Sequence, residues 1–171
     1  GGGGAIYAQG GSVALNGGYL FDNSAKGSYG GAVYMKDGTL TVSGSAVLAG
    51  NRSVKEGGIA GTGTLDAGGG AVALFGSKDV TICGGYITGN ESEKTGGGLY
   101  CRKLSAVTMA GGYVTNNKAQ NIVCEGAHIN MDGGGGIRLE DNSKLTLNDG
   151  YITGNMACSG AGICVTGKSS D

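Results

Sequence analysis

The stretch that comes closest to catalytic chemistry runs from Arg138 to Asp141, where an arginine precedes the adjacent acids Glu140 and Asp141. Polysaccharide hydrolases need two carboxylates that flank the glycosidic bond, and lyases need carboxylates that hold calcium beside a basic residue. One charged stretch meets neither requirement, and the loop acids Glu56 and Glu125 stand two repeats apart. We therefore interpret residues 138–141 as a solvated charged bend and predict no catalytic residue.

Other residues that could bind a metal or a phosphate lack the spacing that such chemistry requires. His128 is the single histidine, and no serine or cysteine stands beside it in a nucleophile motif, so we interpret it as a loop residue. The glycine clusters do not follow the phosphate-binding patterns. The stretches GTGTLD and GGGGIRLED both miss the calcium-binding pattern G-G-x-G-x-D. We therefore predict no metal and no cofactor, and because the two stretches miss the pattern only modestly, calcium remains the alternative.

The five cysteines fit no zinc-binding spacing. Cys101 shares the alternation of the aliphatic residues around it, so we predict a core position for it. The other four, Cys83, Cys124, Cys158 and Cys164, fall on outward or loop positions. In an oxidising compartment the candidate disulfides are Cys124–Cys158 and Cys158–Cys164, and reduced thiols are the alternative.

Composition narrows the class of protein. The chain has 171 residues, of which 40 are glycine and none is proline, so collagen, which needs proline and a strict Gly-X-Y period, is excluded. Hydrophobic residues make up 39% and are evenly distributed, which favours a packed core over a disordered linker. Because 12 basic residues balance 13 acidic ones without a like-charged block, we predict no nucleic-acid partner. No apolar run approaches the ~20 residues of a membrane span, so this segment is not expected to insert into a membrane.

An internal repeat runs through the whole chain. The phrase GGYITGN at 84–90 returns as GGYVTNN at 111–117 and as DGYITGN at 149–155. Successive copies of its closing asparagine are 28, 39, 27 and 38 residues apart, so long and short units alternate. The surplus of the long units lies in residues 52–68 and 118–133, for which we predict an extra strand or hairpin. The repeated asparagines are Asn23, Asn51, Asn90, Asn117 and Asn155.

The periodicity within each unit indicates strands. Apolar residues alternate with a period of two, and no segment has a helical period of useful length. A unit of 27 residues is too short for a propeller blade, but it suits a coil of three short parallel strands. We therefore predict an all-β fold, a parallel β-helix solenoid of about five to six coils stacked at the ordinary strand spacing, with longer loops on alternate coils. It is expected to form a single domain over residues 1–171.

The alternation assigns a side to each residue of the repeated phrase. The central isoleucine or valine points inward, and the flanking tyrosine and threonine point outward. The asparagine follows at the bend, where its amide can both donate and accept, so stacked copies are predicted to form a structural ladder. A row of exposed tyrosines can stack on a sugar or anchor a protein, although tyrosine and threonine also favour strands for structural reasons alone. The predicted binding face comprises Tyr86, Thr88, Tyr113, Thr115, Tyr151 and Thr153.

Further outward columns follow from the same alignment. The main tyrosine column begins at Tyr19 and is interrupted by Val47. On the first strand of each coil we predict a second exposed tyrosine column. The outward positions of that strand are Tyr7, Tyr34, Ala73, Tyr100, Arg138 and Cys164. No outward column stacks two acids, which argues against an enzyme.

Several stretches resemble known repeat families. GGAI (3–6), GGAV (30–33) and FDNSAKGSYGGAVY (21–34) resemble the repeats of polymorphic outer-membrane autotransporter adhesins. GGGLY followed by VTMAGGYVTNN, and GGGIRLEDNSKLTLNDGYITGN, are similar to the right-handed β-helix repeats of large bacterial surface proteins. The resemblance covers essentially the whole chain and implies a right-handed parallel β-helix that is secreted or displayed on a bacterial cell surface.

The expected function is therefore that of a non-catalytic, adhesin-like stalk that binds a glycan or a protein through its tyrosine and threonine face. A polysaccharide-degrading lyase or hydrolase is one alternative, and a purely structural spacer or self-assembling rod is the other. The chain opens in the middle of the repeat pattern, so we expect a fragment of a longer repeat protein. Open strand edges at the ends of a solenoid also favour end-to-end self-association.

Overall fold

The computed structural model describes residues 2–56, 67–119 and 133–167. Within these ranges the chain forms only β-strands, and no helix there is long and apolar enough to cross a membrane. In chain order the strands are β1 (Ile6–Gln9), β2 (Ser12–Leu15), β3 (Tyr19–Phe21), β4 (Ser24–Lys26), β5 (Val33–Lys36), β6 (Thr39–Val42), β7 (Val47–Ala49), β8 (Arg52–Val54), β9 (Val72–Phe75), β10 (Asp79–Thr88), β11 (Glu91–Ser92), β12 (Leu99–Arg102), β13 (Ala106–Thr115), β14 (Lys118–Ala119), β15 (Ile137–Leu139), β16 (Lys144–Thr153) and β17 (Ile163–Val165).

The strands form three parallel sheets that the chain visits in a fixed order. Sheet A contains β1, β5, β9, β12, β15 and β17, each paired with the strand one coil away. Sheet B contains β2 and β3, then β6 and β7, then the long strands β10, β13 and β16. Sheet C contains β4, β8, β11 and β14. The predicted parallel β-helix of five to six coils is therefore confirmed, although the first two coils hold four short strands each where three per coil were predicted.

Sheet B changes its construction along the rod. In the first two coils a turn separates its two short strands, whereas in later coils one ten-residue strand continues through a bulge. Glycine occupies this bulge, as at Gly84 and Gly85 or at Gly111 and Gly112, where a bent strand needs unusual backbone angles. The two halves of each coil on this sheet thus lie on either side of a glycine-containing bend.

The core is a stack of aliphatic columns inside the coils. In the middle of the rod the inward residues of the repeated phrase, Leu48, Ile87 and Val114, are at most 1% exposed. Burying each such side chain contributes on the order of 1.5–3 kcal/mol. Cys101 lies in the same core, as its alternation predicts.

The turn from sheet B to sheet C explains why an asparagine closes the phrase. The residue before each asparagine has a positive φ, a conformation that only glycine, asparagine and aspartate adopt at low cost. The sequence supplies these types at every coil. They are Asp22 (52°), Gly50 (64°), Gly89 (61°), Asn116 (55°) and Gly154 (65°).

The asparagines that follow bond to one another along the axis. The Nδ2 group of Asn51 donates to Oδ1 of Asn90 at 2.9 Å, and the backbone N–H of Asn51 donates to the same oxygen at 2.9 Å. The Nδ2 group of Asn51 also donates to the carbonyl oxygen of Leu20 in the preceding coil at 2.9 Å. The same pattern joins Asn23 to Asn51, Asn90 to Asn117 and Asn117 to Asn155. Asn51 and Asn90 each begin a glycosylation sequence of the form N-x-S, but both are fully buried, so neither is accessible to a glycan.

A shorter serine ladder, which the sequence analysis did not anticipate, closes the turn from sheet A to sheet B. The backbone N–H of Ser77 donates to Ser105 Oγ at 3.2 Å, and that of Ser105 donates to Ser143 Oγ at 3.1 Å.

At the third corner two glycines are required. Gly69 has a φ of +67°, and a Cβ on Gly70 would lie 2.1 Å from the carbonyl oxygen of Gly97.

The surplus segments of the long units are described only in part. Their first residues form β8 and β14 in sheet C. The predicted extra strand or hairpin falls on residues 57–66 and 120–132, which lie outside the described ranges, as do Cys124, Glu125 and His128.

Candidate functional site

Tyr86, Tyr113 and Tyr151 form a tyrosine ladder on the outer face of sheet B. Each stands beside the inward aliphatic residue of its coil, so strand alternation turns its side chain outward. The parallel register pairs Tyr86 with Tyr113 and Tyr113 with Tyr151, which places the three rings in one column along the axis.

The rings of the ladder stack face to face. The centroids of Tyr86 and Tyr113 are 4.8 Å apart with an interplanar angle of 7°. Those of Tyr113 and Tyr151 are 5.0 Å apart, again with an angle of 7°. Because each inner ring face is covered by the next ring, the ladder presents mainly ring edges and phenol hydroxyls to solvent.

Exposure of these tyrosines follows the number of ring neighbours. Tyr113 has a ring on each side and is 37% exposed, whereas Tyr86 and Tyr151 each have one ring neighbour and are 45% and 57% exposed. Tyr19, whose neighbour in the column is Val47, is 79% exposed. Ring faces without a neighbouring ring are therefore the additional exposed surface.

The predicted threonines stand in the next outward column of the same strands. Their register pairs Thr88 with Thr115 and Thr115 with Thr153. The hydroxyl of Thr115 donates to Oγ1 of Thr88 at 3.1 Å. Thr153 is exposed and the other two are half-buried, so the column adds hydroxyl and methyl groups beside the tyrosine edges.

A second threonine column lies on the other side of the bulge and was missed by the sequence analysis. Its register runs through the first half of each sheet B strand. The signal was present, because each threonine stands between the two inward residues of an alternating pair. These residues are Thr41, Thr81, Thr108 and Thr146.

Charge distinguishes this face from its neighbour. The seven strands of sheet B contain only three charged residues, Asp79, Lys144 and Asp149. Sheet C instead carries surface ion pairs. Arg52 Nε lies 3.2 Å from a carboxylate oxygen of Glu91, and Lys118 Nζ lies 3.8 Å from its other oxygen. A charge-poor face with repeated tyrosines has the composition of an interaction surface.

The acidic stretch identified first in the sequence forms a second cluster, on the outer face of sheet A. Arg138 Nε donates to Glu140 Oε1 at 3.0 Å, and Arg102 Nε donates to Asp141 Oδ2 at 2.7 Å. The hydroxyl of Tyr100 donates to Glu140 Oε2 at 2.6 Å. We call these five residues the arginine–carboxylate cluster. Sequence reasoning placed Arg138 beside the acids but did not connect Tyr100 or Arg102 with them.

Two expectations about this face were wrong. The stretch 138–141 is not a solvated bend, since Arg138 is only 2% exposed. The second tyrosine column is not exposed along its length, because Tyr100 is 3% exposed while Tyr7 is 55% exposed. The reason is local packing: Tyr29 stacks on Tyr100 at 5.6 Å, and Phe75 packs against the same ring edge-on at 5.9 Å.

The electrostatics of the cluster are those of a closed network. Burial raises the pKa of Tyr100 well above its ordinary value, and the adjacent Glu140 carboxylate raises it further, so the phenol stays neutral and donates its proton. Glu140 is paired with the guanidinium of Arg138 and Asp141 with that of Arg102, so both carboxylates already have partners within the network.

The cysteines also answer one open question. Cys158 is disulfide-bonded, whereas Cys83, Cys101 and Cys164 are free thiols. The pairing Cys158–Cys164 is therefore wrong, and Cys124 of the other candidate pairing lies outside the described residues. Among the described residues no group of three or more histidine, cysteine or acidic side chains could hold a metal ion.

Comparison with known proteins identifies the fold and leaves the activity open. The family model described as "Right handed beta helix region" matches residues 1–171, which agrees with the predicted handedness. No curated protein and no solved structure matches the chain.

Proposed function

Because the chain belongs to the right-handed β-helix family, whose fold alone does not specify a function, we propose a function from its surface: a non-catalytic, adhesin-like rod that binds a partner protein. In this proposal the rod is secreted or displayed on a cell surface. The observation that carries it is the exposed ladder of Tyr86, Tyr113 and Tyr151 on a face nearly free of charge.

Ring orientation supports a protein partner over a glycan. Sugars bind tyrosine through the flat ring face, and the inner faces of the ladder are already covered at 4.8 and 5.0 Å. Apart from the two end faces of the ladder, on Tyr86 and Tyr151, ring edges, hydroxyls and threonine methyl groups are what remain. Amphipathic groups of this kind, on a rigid and charge-poor surface, suit a protein interface.

The arginine–carboxylate cluster supports a function without catalysis. Its two arginines and two carboxylates balance in charge, and the Tyr100 hydroxyl is already bonded to Glu140. The cluster thus resembles a buried structural network more than a site with an open acid or nucleophile.

The test is binding of the 171-residue chain to immobilised panels of purified extracellular proteins and of neutral and acidic glycans. We expect saturable binding to a protein that is lost in the triple variant Tyr86→Ala/Tyr113→Ala/Tyr151→Ala. The matched control is Glu91→Gln/Lys118→Gln, which removes a partly buried ion pair on sheet C and should bind like the original chain.

Other outcomes would replace the proposal. Glycan binding that depends on the same tyrosines would assign a sugar-binding face, and shortening of a bound polysaccharide would assign an enzyme. Binding that survives the triple variant would place the interaction elsewhere, and no binding on either panel would favour a structural spacer.

A further inference from the structure

The tyrosine column of sheet B has one missing ring. The register pairs Tyr19 with Val47 and Val47 with Tyr86, so a half-buried valine occupies the second coil between two exposed rings. The next column repeats the pattern, with Ala49 between Phe21 and Thr88. The second coil therefore forms a notch across the sheet, floored by Val47 and Ala49.

The width of the notch follows from the ladder itself. Rings in adjacent coils lie 4.8 and 5.0 Å apart. Tyr19 and Tyr86 are separated by two coils, which is about 9.6 Å at the ordinary strand spacing. A planar ring inserted midway between Tyr19 and Tyr86 would lie about 4.8 Å from each of them. Neighbouring rings of the ladder are separated by the same distance.

The rings that border the notch are exposed, and the face of Tyr86 opposite Tyr113 has no ring neighbour. Tyr86 is 45% exposed against 37% for Tyr113, which has rings on both sides, and Tyr19 is 79% exposed. Phe21, which is 64% exposed, leans toward the turn of the second coil, where its ring edge would lie 3.6 Å from a Cβ on Gly50. Three of the four residues that border the notch are thus aromatic, Thr88 being the fourth, and β3, β7 and residues 86–88 contain no charge.

We propose that this notch binds one planar aromatic ring, supplied by an aromatic side chain of the partner protein. The floor favours an aromatic ring over a sugar, because the side chains of Val47 and Ala49 offer no hydrogen-bonding group to a pyranose hydroxyl. Stacking on two opposed ring faces provides the attraction, as it does between the rings of the ladder. This inference rests on the proposed binding function and names the anchor that the partner inserts.

The experiment titrates the intact chain with indole as the aromatic probe and with methyl β-glucoside as the sugar probe. Ring-proton NMR signals of Tyr19, Tyr86 and Tyr113 report the position of binding. We expect indole to shift the signals of Tyr19 and Tyr86 saturably while those of Tyr113 change little, and the glucoside to shift none of them.

Two substitutions at one position separate the notch from general surface effects. Val47→Tyr supplies the missing ring and should weaken indole binding by about tenfold, the loss of stacking on two faces. Val47→Thr keeps the size of the side chain and leaves the notch open, so indole binding should persist. Tyr19→Ala, which removes one wall without filling the notch, should weaken binding by a smaller factor.

Contrary results are distinct from failure of the proposed function. No saturable shift with indole, equal binding to Val47→Tyr, or a shift with the glucoside alone would overturn the notch proposal. Partner binding that is lost in the triple tyrosine variant but unchanged by Val47→Tyr would do so too, while leaving the binding face intact.

Discussion

Two aromatic strips on the same rod differ in what covers them. The tyrosine ladder of sheet B and the strip of Tyr34, Phe75 and Tyr100 on sheet A both stand on outward positions of parallel strands. The rings of the ladder contact mainly one another and remain exposed. The rings of sheet A form their own buried cluster, in which Tyr29 also takes part. An outward position in a β-helix is therefore not the same as an exposed one.

The difference follows from the residues in each column. In the ladder of Tyr86, Tyr113 and Tyr151 a tyrosine follows a tyrosine, so each ring stacks on an identical ring. On sheet A the column changes type at each coil, and the small Ala73 between Tyr34 and Tyr100 leaves space above the sheet. Phe75 and Tyr29 pack across that space, and Tyr100 bonds to Glu140. Uniform columns favour an open face, and mixed columns favour a closed one.

Arg138→Met tests the closed face with the largest expected effect. The change removes a guanidinium whose side chain is 3% exposed and which donates to Glu140 and to Cys164 Sγ. Glu140 then keeps only the Tyr100 hydroxyl and the more distant Arg102 Nε at 3.8 Å, so we expect the unfolding free energy to fall by about 3 kcal/mol, the lower end of the range for a broken buried ion pair. Urea unfolding at neutral pH measures it.

The matched control is Arg52→Met on sheet C. Its side chain is 46% exposed and pairs with Glu91 at 3.2 Å, so we expect a loss below about 1 kcal/mol. Equal effects for the two arginines would mean that the cluster on sheet A is solvated after all.

Tyr100→Phe removes a single hydroxyl from the closed face and keeps the ring. Glu140 then loses a donor at 2.6 Å in a site with little access to water, which costs about 1–3 kcal/mol. Tyr113→Phe on the open ladder should lower the unfolding free energy by less than about 0.5 kcal/mol, since the side chain that loses its hydroxyl is exposed to solvent. Thermal or urea unfolding of the two variants gives the comparison.

The same phenol predicts a loss of stability at alkaline pH. Burial and Glu140 raise the pKa of Tyr100 above its ordinary value of 10.0, and burial together with Tyr7 and Asp37 raises that of Tyr34. Below pH 10 both the folded and the unfolded chain hold these protons. Above it the unfolded chain binds fewer protons than the folded one, so stability falls as pH rises. Tyr100→Phe should reduce this slope, and an unchanged slope would contradict the assigned cause.

On the open ladder we expect a smaller effect than on the closed face, namely a weak energetic coupling between stacked rings. Double-mutant cycles of Tyr86→Ala with Tyr113→Ala should give an interaction energy of about 0.5–1.5 kcal/mol, the value typical of stacked aromatic pairs. The corresponding cycle of Tyr19→Ala with Tyr113→Ala should give nearly zero, because these residues are three coils apart in the column. Coupling of equal size in both cycles would show that the effect comes from the backbone and not from the rings.

The sequence predicted the fold because every coil repeats the same local requirements. A positive φ before each asparagine, an inward aliphatic residue and a tight glycine corner are all visible as residue types at fixed spacing. The asparagine bonds follow from stacking identical amides at the strand spacing. Such features need no knowledge of distant contacts, since each coil is positioned by its neighbours.

The sequence could not predict which outward face is covered. The position of Tyr100 in the alternation is equivalent to that of an exposed tyrosine. Its burial depends on Tyr29, which lies outside the named strands in an isolated bridge to Gly68, and on Phe75 of the adjacent column. The contact between Arg102 and Asp141 likewise joins residues 39 positions apart whose side chains leave the repeat pattern. Side-chain packing outside the coils does not follow the repeat, so predictions based on periodicity cannot include it.

Thiol labelling measures which cysteines solvent can reach. We expect it to change stability less than any of the substitutions above. Cys83 is exposed on β10 of sheet B, whereas Cys101 is fully buried, and burial raises the pKa of its thiol to about 12. In a Cys164→Ser variant, which removes the other partly exposed thiol, a maleimide should label Cys83 in the folded chain and spare Cys101 until the chain unfolds. The labelled protein should lose less than about 0.5 kcal/mol of stability, as mass spectrometry and urea unfolding can measure.

Because Cys83 lies three residues before Tyr86, a bulky label should nevertheless reduce partner binding. Binding that is unaffected by the label would shift the contact surface away from the bulge and toward Thr88 and Thr115.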